Sequence, residues 1–234
     1  TAKEGGRAFD TCKFGDYAIP TVNINTTGVI TGPIEATGGK LNIENGKFDV
    51  TWVTDSHYAA GDIQITGGVF TEKPAEEYCA EGYIPTTNND EATKADYPYA
   101  VKVGTFICAI GDNKYETLAE AVAAAGTSES TITLLEEAAV DGVISGAGVV
   151  VPSGSNITFD LNGLTYNVSG ETVGSSTTET QGFQLLKNSN ITFKNGTLKA
   201  TSPTAQMVIQ NYSNLTLEDV NVDGTGLSGW AYAL

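Results

Sequence analysis

The chain has 234 residues, and its 28 acidic and 12 basic side chains give it a net charge of -16. Arg7 is the single arginine. A phosphate backbone would therefore be repelled, and bidentate guanidinium contacts to bases are scarce, so nucleic acid is excluded as an expected partner. No apolar run is long enough for a membrane span, and the length suits one long domain or two shorter ones.

The first half of the sequence predicts short β-strands in which apolar and polar residues alternate. The pattern occurs in PTVNINTTGVITG, in GKLNIENGKFDV and in GDIQITGGVF, with Gly, Asn and Asp interrupting the strands. Leu41 and Ile63 occupy equivalent positions 22 residues apart, a period typical of stacked structural repeats.

The segment FICAIGDNKYETLAEAVAAAG interrupts this β pattern and predicts a strand, a turn and a short helix at about 117–125. Thr117 is the expected N-cap, and Glu120 lies three positions later, as a capping box requires. Gly126 is the expected end of the helix. The strand-like TITLLEE follows directly, so we expect the helix to cover the end of a new run of strands.

Three copies of one pattern follow: SNITFDLNGLTY (155–166), SNITFKNGTLKA (189–200) and SNLTLEDVNVDG (213–224). Their asparagines, Asn156, Asn190 and Asn214, are 34 and 24 residues apart, and a Ser/Thr/Gly stretch at 170–182 is expected to form a protruding loop in the longer interval. These periods predict an all-β parallel β-helix, a solenoid in which the three asparagines form a structural ladder.

The order of the central segments resembles modules in large extracellular proteins of gut Gram-positive bacteria and their phages. In GDIQITGGVFTEKPAEEYCAEGYIPTTN a Gly-Gly turn leads to an AEGY-like segment, and IGDNKYETLAEAVAAA then opens the next module. The resemblance implies a pectin-lyase-like, right-handed parallel β-helix and an adhesin-like or particle-decorating role. It places Tyr78, Gly82 and Tyr83 in a closing segment, and Tyr115, Leu118 and Ala121 in an opening cap.

We therefore predict strands and a β-rich tail over 1–103, followed by the capping helix and further strands over 104–234. This order indicates that the chain starts in one β-helix and ends in another. Two interpretations stay open: open ends that stack head to tail between subunits, giving a homo-oligomer or filament, or a fragment of a longer tandem array. The apolar tail residues Trp230, Tyr232 and Leu234 are the candidate contact.

Polysaccharide lyases and hydrolases share the expected fold, but their arginine-rich or paired-carboxylate signatures are missing here. His57 stands in a loop-like segment, and the acidic candidates Asp160, Glu218, Asp219 and Asp223, with Lys194, are expected to face water. We therefore predict a non-enzymatic structural or adhesive protein without cofactor, metal or catalytic residues.

An acidic, Thr- and Asn-rich composition suits a secreted or cell-surface protein, with a virion as the alternative location. A phage decoration or tail protein, and a carbohydrate-binding or carbohydrate-degrading module with a glycan partner, are the alternative functions. Cys12, Cys79 and Cys108 favour free thiols over a Cys12–Cys79 disulfide, because they lack the paired spacing of a disulfide framework or zinc site.

Overall fold

A computed structural model describes residue 2 and residues 5–53, 61–229 and 231–234. The chain divides into two compact units, Thr1–Thr105 and Phe106–Leu234, called unit 1 and unit 2 below. Each unit has its own cluster of buried apolar side chains.

Unit 1 is built from short strands, most of them four or five residues long or shorter. They are β1 (Phe9–Cys12), β2 (Thr21–Thr31), β3 (Ile34–Thr37), β4 (Lys40–Asp49), β5 (Trp52–Val53), β6 (Asp62–Ile65), β7 (Val69–Phe70), β8 (Tyr83–Thr87) and β9 (Tyr99–Val103), with a single-turn 3-10 helix at Glu76–Tyr78.

Parallel pairing joins β1, β3 and β5 in one sheet, and β2, β4 and then β6 and β7 in another. The alternation predicted from sequence places Leu41, Ile43 and Phe48 of β4 in the core, where all three are fully buried. Phe48 stacks on Phe70 of the next strand with ring centroids 4.8 Å apart. Aligned side chains on neighbouring strands thus form continuous apolar columns.

Unit 2 contains one α-helix and a longer series of strands. They are β10 (Cys108–Ile110), β11 (Asn113–Tyr115), α1 (Leu118–Ala125), β12 (Ser130–Leu134), β13 (Val143–Gly146), β14 (Val149–Val151), β15 (Asn156–Asp160), β16 (Thr165–Val168), β17 (Val173–Ser175), β18 (Thr178–Leu185), β19 (Asn190–Ala200), β20 (Met207–Asn211) and β21 (Asn214–Asp223), with a 3-10 turn at Glu136–Ala138.

The strands β12, β15, β19 and β21 pair in parallel and in that order, and we call them the main stack. Phe159 of β15 and Phe193 of β19 are Cα partners whose rings stack at 4.8 Å. Phe183 meets both rings edge to face from the neighbouring sheet formed by β14, β18 and β20. These buried rings form the centre of the unit 2 core.

The helix α1 begins at the capping box predicted from sequence. Thr117 accepts a hydrogen bond from the Glu120 N–H at 3.1 Å, and the Glu120 carboxylate accepts the Thr117 N–H at 3.3 Å. Its apolar face, Leu118, Ala121, Val122 and Ala125, is buried in the unit 2 core. The helix thus belongs to unit 2 through packing as well as through sequence order.

The prediction of an all-β, right-handed parallel β-helix is wrong as a description of the fold, because the sheets are mixed. β7 and β8 pair antiparallel with β9, β10 is antiparallel to β11 and β12, and β17 is antiparallel to β18. The physical reason is that a sequence repeat reports only strands that recur at a fixed period. Strands joined through hairpins have no such period, so nothing in the repeat pattern reveals them.

The stretch 170–182 illustrates this difference. The composition predicts a protruding loop, but the stretch contains β17 and the first part of β18, which pair antiparallel with an irregular register between Val173 and Ser175. The Thr172 hydroxyl, just before β17, donates a hydrogen bond across to the Glu179 carbonyl of β18 at 2.5 Å. The polar, Ser/Thr-rich composition of this stretch therefore did not indicate its two antiparallel strands.

All three cysteines are free, with Cys108 buried and Cys12 and Cys79 partly exposed. Burial raises the pKa of the Cys108 thiol to about 12, and the nearby Glu120 charge adds to that rise. The folded state therefore disfavours the thiolate, whereas an unfolded chain ionises Cys108 at about pH 8.5.

This shift predicts a loss of stability in alkali. Stability from the neutral thiol is complete below the unfolded pKa and falls as pH rises toward 12, by about 1.4 kcal/mol per pH unit. Urea unfolding between pH 9 and 10 should therefore show a steeper decline for the wild type than for Cys108→Ala. If the free energy of unfolding fell equally steeply with pH in both proteins, the raised pKa of Cys108 would be contradicted.

Candidate functional site

The asparagine column consists of Asn156, Asn190 and Asn214, which are successive Cα partners along the main stack. The Asn214 side-chain amide donates to the Asn190 side-chain oxygen at 3.0 Å. The backbone N–H groups of Asn190 and Asn214 donate to the carbonyls of Ser155 and Ser189 at 2.9 and 3.0 Å. Side-chain and backbone bonds thus hold the strands of the main stack in one register.

The serines that precede these asparagines are a feature that sequence reasoning missed. Ser155 and Ser189 are 1% and 0% exposed, and both hydroxyls donate to the Pro152 carbonyl at 2.9 Å. The Ser189 hydroxyl also accepts the Ser155 N–H at 3.2 Å. The available signal was that Ser preceded Asn in all three copies of the repeat.

Replacing Ser189 by alanine should destabilise unit 2 by about 1–3 kcal/mol, because the buried Ser155 N–H and Pro152 carbonyl each lose a partner. Urea unfolding monitored by circular dichroism measures the change. Ser153→Ala is the control, since that hydroxyl also bonds to a carbonyl, that of Lys187, but lies at an exposed position. A loss no larger than the control's would refute the structural role of Ser189.

The polar candidates Asp160 and Lys194 form an ion pair at 3.1 Å between Oδ2 and Nζ. Burial alone would raise the pKa of Asp160, but hydrogen bonds from Asn195, Asn162 and Lys194 outweigh it and hold that pKa below its usual value. Glu218 is the next residue in this register, opposite Lys194. The group forms an alternating acid–base–acid column on the outside of the main stack.

Asp223 has a similar structural explanation. Hydrogen bonds from the Thr225 hydroxyl and backbone, and then from Lys199, lower the pKa of Asp223 to about 2. Asp219, four residues earlier on β21, has a positive φ of 53°, and the ladder with β19 skips this position. In the part of the chain that the structure describes, no three His, Cys, Asp or Glu side chains are grouped to hold a metal ion.

Arg7 pairs through its side chain with Glu35, which is buried to 8% exposure, so this arginine is bound within unit 1. His57 lies outside the described residues.

The main stack also borders a polar groove of about 450 Å³, lined by Val143, Thr165, Asn167, Thr197, Lys199, Asn221 and Asp223.

The predicted contact residues near the end of the sequence are placed only in part. Trp230 lies outside the described residues. The Tyr232 N–H donates to the Gln206 carbonyl at 2.9 Å, and its own carbonyl accepts the Val208 N–H at 3.3 Å, so this backbone follows β20. The side chains of Tyr232 and Leu234 remain 62% and 58% exposed.

Another apolar surface lies on β21. We define the β21 edge as the outer side of this strand, with Leu215, Leu217, Val220 and Val222. Leu217 is 38% exposed, whereas its partner Phe193 is fully buried. No strand pairs with the outer side of β21 among the described residues. The last layer of the main stack thus leaves the core columns partly open to solvent.

Unit 1 has a comparable surface on β2. We define the β2 edge as the outer side of this strand, with Val22, Ile24, Val29 and Ile30. Val29 is 52% exposed, and Val22 and Ile30 are partly buried against the unit 1 core. Among the strands in the described part of the chain β2 pairs with β4 alone, and at its end the Thr31 carbonyl accepts the Ala2 N–H at 3.0 Å. Each unit therefore presents an edge strand, paired on one side only, beside its apolar core.

Comparison with known proteins gives no relative from which a function could be transferred: no family model, curated protein or solved structure matches the chain. Within the described residues, no helix has the length and apolar character needed to cross a membrane.

Proposed function

We propose that this chain is a non-enzymatic structural or adhesive component of a secreted or cell-surface assembly, and that its copies associate through their open strand edges. The β21 edge carries the proposal. Its apolar side chains continue columns whose earlier members, Ile191, Phe193 and Leu198, are at most 1% exposed. A further layer on β21 would bury them in the same way.

The energetic argument combines side chains and backbone. Burying a large apolar side chain contributes about 1.5–3 kcal/mol, and an unpaired strand edge also offers a row of free N–H and C=O groups. Association costs at least about 4 kcal/mol in lost translational and rotational freedom. Leu217 is 38% exposed, and Leu215, Val220 and Val222 are already partly buried, so association gains only a part of that burial energy from each. The ladder of backbone bonds supplies the remainder.

The net charge of -16 opposes association between copies at long range. Salt shortens the range of this repulsion to about 8 Å at physiological ionic strength. An assembly held by apolar and backbone contacts should therefore grow when sodium chloride is added, whereas one held by exposed ion pairs should shrink.

The proposal is tested by the native mass of the protein, measured by light scattering over a range of protein and salt concentrations, with negative-stain imaging of the same sample. We expect multimers that increase with concentration and with salt. A monomer at every concentration and salt level would refute self-association.

Sugar binding is a second candidate, favoured by the polar groove beside the main stack. Its volume of about 450 Å³ lies within the range of small-ligand sites, and Asn167, Thr197 and Asn221 offer amide and hydroxyl groups to a glycan. Titration with a panel of oligosaccharides tests it. Binding that Asn221→Ala weakens would support this function, and no heat of binding with any sugar would remove it.

A further inference from the structure

We infer that the partner of the β21 edge is the β2 edge of a second copy, joined in parallel with Leu215 over Val22 and Leu217 over Ile24. The inference rests on the proposed self-association and names its joint. Three observations carry it: a shared strand pattern in the two units, the direction of the free backbone groups, and the distribution of charge.

The inner strands of the two stacks follow one pattern. β4 reads Leu-Asn-Ile-Glu-Asn-Gly-Lys-Phe over 41–48, and β19 reads Ile-Thr-Phe-Lys-Asn-Gly-Thr-Leu over 191–198. In both strands the first, third and last residues of the pattern are buried. β2 is the outer neighbour of β4, and β21 is the outer neighbour of β19. Placing β21 on β2 therefore brings together strands that flank the same sequence pattern.

The register follows from the columns already present. Val22 and Ile24 align with Leu41 and Ile43 in unit 1, and Leu215 and Leu217 align with Ile191 and Phe193 in unit 2. Placing Leu215 over Val22 continues both apolar columns, and it sets Thr216 opposite Asn23 on the outer face. A shift of one residue would turn the apolar side chains toward water.

The backbone groups also match. Asn214 directs its N–H inward to the Ser189 carbonyl, so the neighbouring residues Leu215 and Leu217 present theirs to the open side. In unit 1 the Pro20 carbonyl accepts the Lys40 N–H at 2.8 Å. The backbone N–H and C=O groups of Thr21 and Asn23 therefore point away from β4. In the inferred joint, Leu217 donates to the Asn23 carbonyl and Asn23 donates to the Leu215 carbonyl.

Charge selects this partner over a second β21 edge. β21 carries Glu218, Asp219 and Asp223, and pairing two copies of it would bring these carboxylates together. β2 contains no charged residue over Thr21–Thr31. In the inferred register Glu218 meets Asn25, an uncharged residue of β2.

Disulfide trapping between two variants, each with one introduced cysteine, tests the joint. Neighbouring strands lie about 4.8 Å apart, within the Cα separation that a disulfide spans. Thr216→Cys and Asn23→Cys are each made in a Cys12→Ser, Cys79→Ser background, and the fully buried Cys108 is kept. Native proteins are oxidised singly and as an equal mixture, and their masses are measured by light scattering beforehand.

We expect the mixture to give a covalent dimer as the main product, and each variant alone to give at least tenfold less. Val140→Cys mixed with Asn23→Cys is the matched control, because Val140 is 75% exposed and lies away from β21, and it should give no dimer. A chain carrying both Thr216→Cys and Asn23→Cys should give a ladder of higher multimers or a closed ring.

Four results would overturn the inference. Dimers from Thr216→Cys alone would mean that two β21 edges pair, and dimers from Asn23→Cys alone would mean the same of two β2 edges. Multimers in light scattering without a cross-link would refute this joint and leave the proposed self-association standing. Monomers throughout would refute both.

Discussion

Replacing Phe193 by alanine is expected to lower the free energy of unfolding of unit 2 by about 3–5 kcal/mol, the largest stability effect of any change considered. Phe193 is fully buried, stacks on Phe159 and meets Phe183 at 5.2 Å between ring centroids. Truncation removes apolar contacts from two sheets and leaves a cavity that backbone-paired strands cannot readily fill. Urea unfolding followed by circular dichroism measures the loss.

The matched control is Phe14→Ala. Phe14 undergoes the same chemical change but is 77% exposed, so its effect should remain within about 0.5 kcal/mol. If Phe193→Ala cost less than about 1 kcal/mol, the packing of aromatic side chains at the centre of unit 2 would be contradicted.

Replacing Leu217 by lysine is expected to weaken self-association by at least about 100-fold, equivalent to about 2.7 kcal/mol. In the assembly this side chain is buried in an apolar column, where an unpaired ammonium group is costly. In the isolated chain it is already 38% exposed, so the monomer should lose much less stability. Concentration-dependent light scattering, with urea unfolding of the same samples, separates the two effects.

Val140→Lys controls for the added positive charge. It lies in unit 2, is 75% exposed and makes the same change from an apolar residue to lysine. Because a lysine also reduces the negative net charge, this variant should associate as well as the wild type or slightly better. Equal weakening in both variants would show that charge, rather than the β21 edge, controls association.

The sequence contained enough information for the strands that repeat. Asn190 and Asn214 are 24 residues apart and are direct partners, because each strand of the main stack adds one layer per repeat. The helix could be predicted equally well, because Thr117, Glu120 and Gly126 mark its ends through contacts with neighbouring residues alone.

The antiparallel strand pairs could not be predicted from the sequence in the same way. β9 pairs with β7 and with β8, but no periodic pattern connects these three segments. Their pairing depends on which sheet edges are left unpaired once the chain has folded. Within the main stack each repeat adds one parallel strand. The predicted solenoid assumed the same parallel pairing for segments that in fact pair antiparallel.

Close contacts inside the stack were also invisible in the sequence. Gly196 faces the Leu164 carbonyl oxygen so closely that a β-carbon would collide with it. An Asn-Gly pair such as 195–196 is a common turn sequence, and Asn195 has a positive φ of 61°. The need for glycine, however, comes from a residue more than 30 positions away, which no local pattern reports.

The most direct test of the central claim, that β21 is a joint between copies, is amide hydrogen exchange at single-residue resolution as the protein concentration is raised. The N–H groups of Leu215 and Leu217 face the open side of β21, whereas that of Asn214 bonds to Ser189 within the chain. We predict that exchange at Leu215 and Leu217 slows at least tenfold upon association, with Asn214 changing much less. Multimers in which Leu215 and Leu217 exchange as fast as in the monomer would contradict the claim.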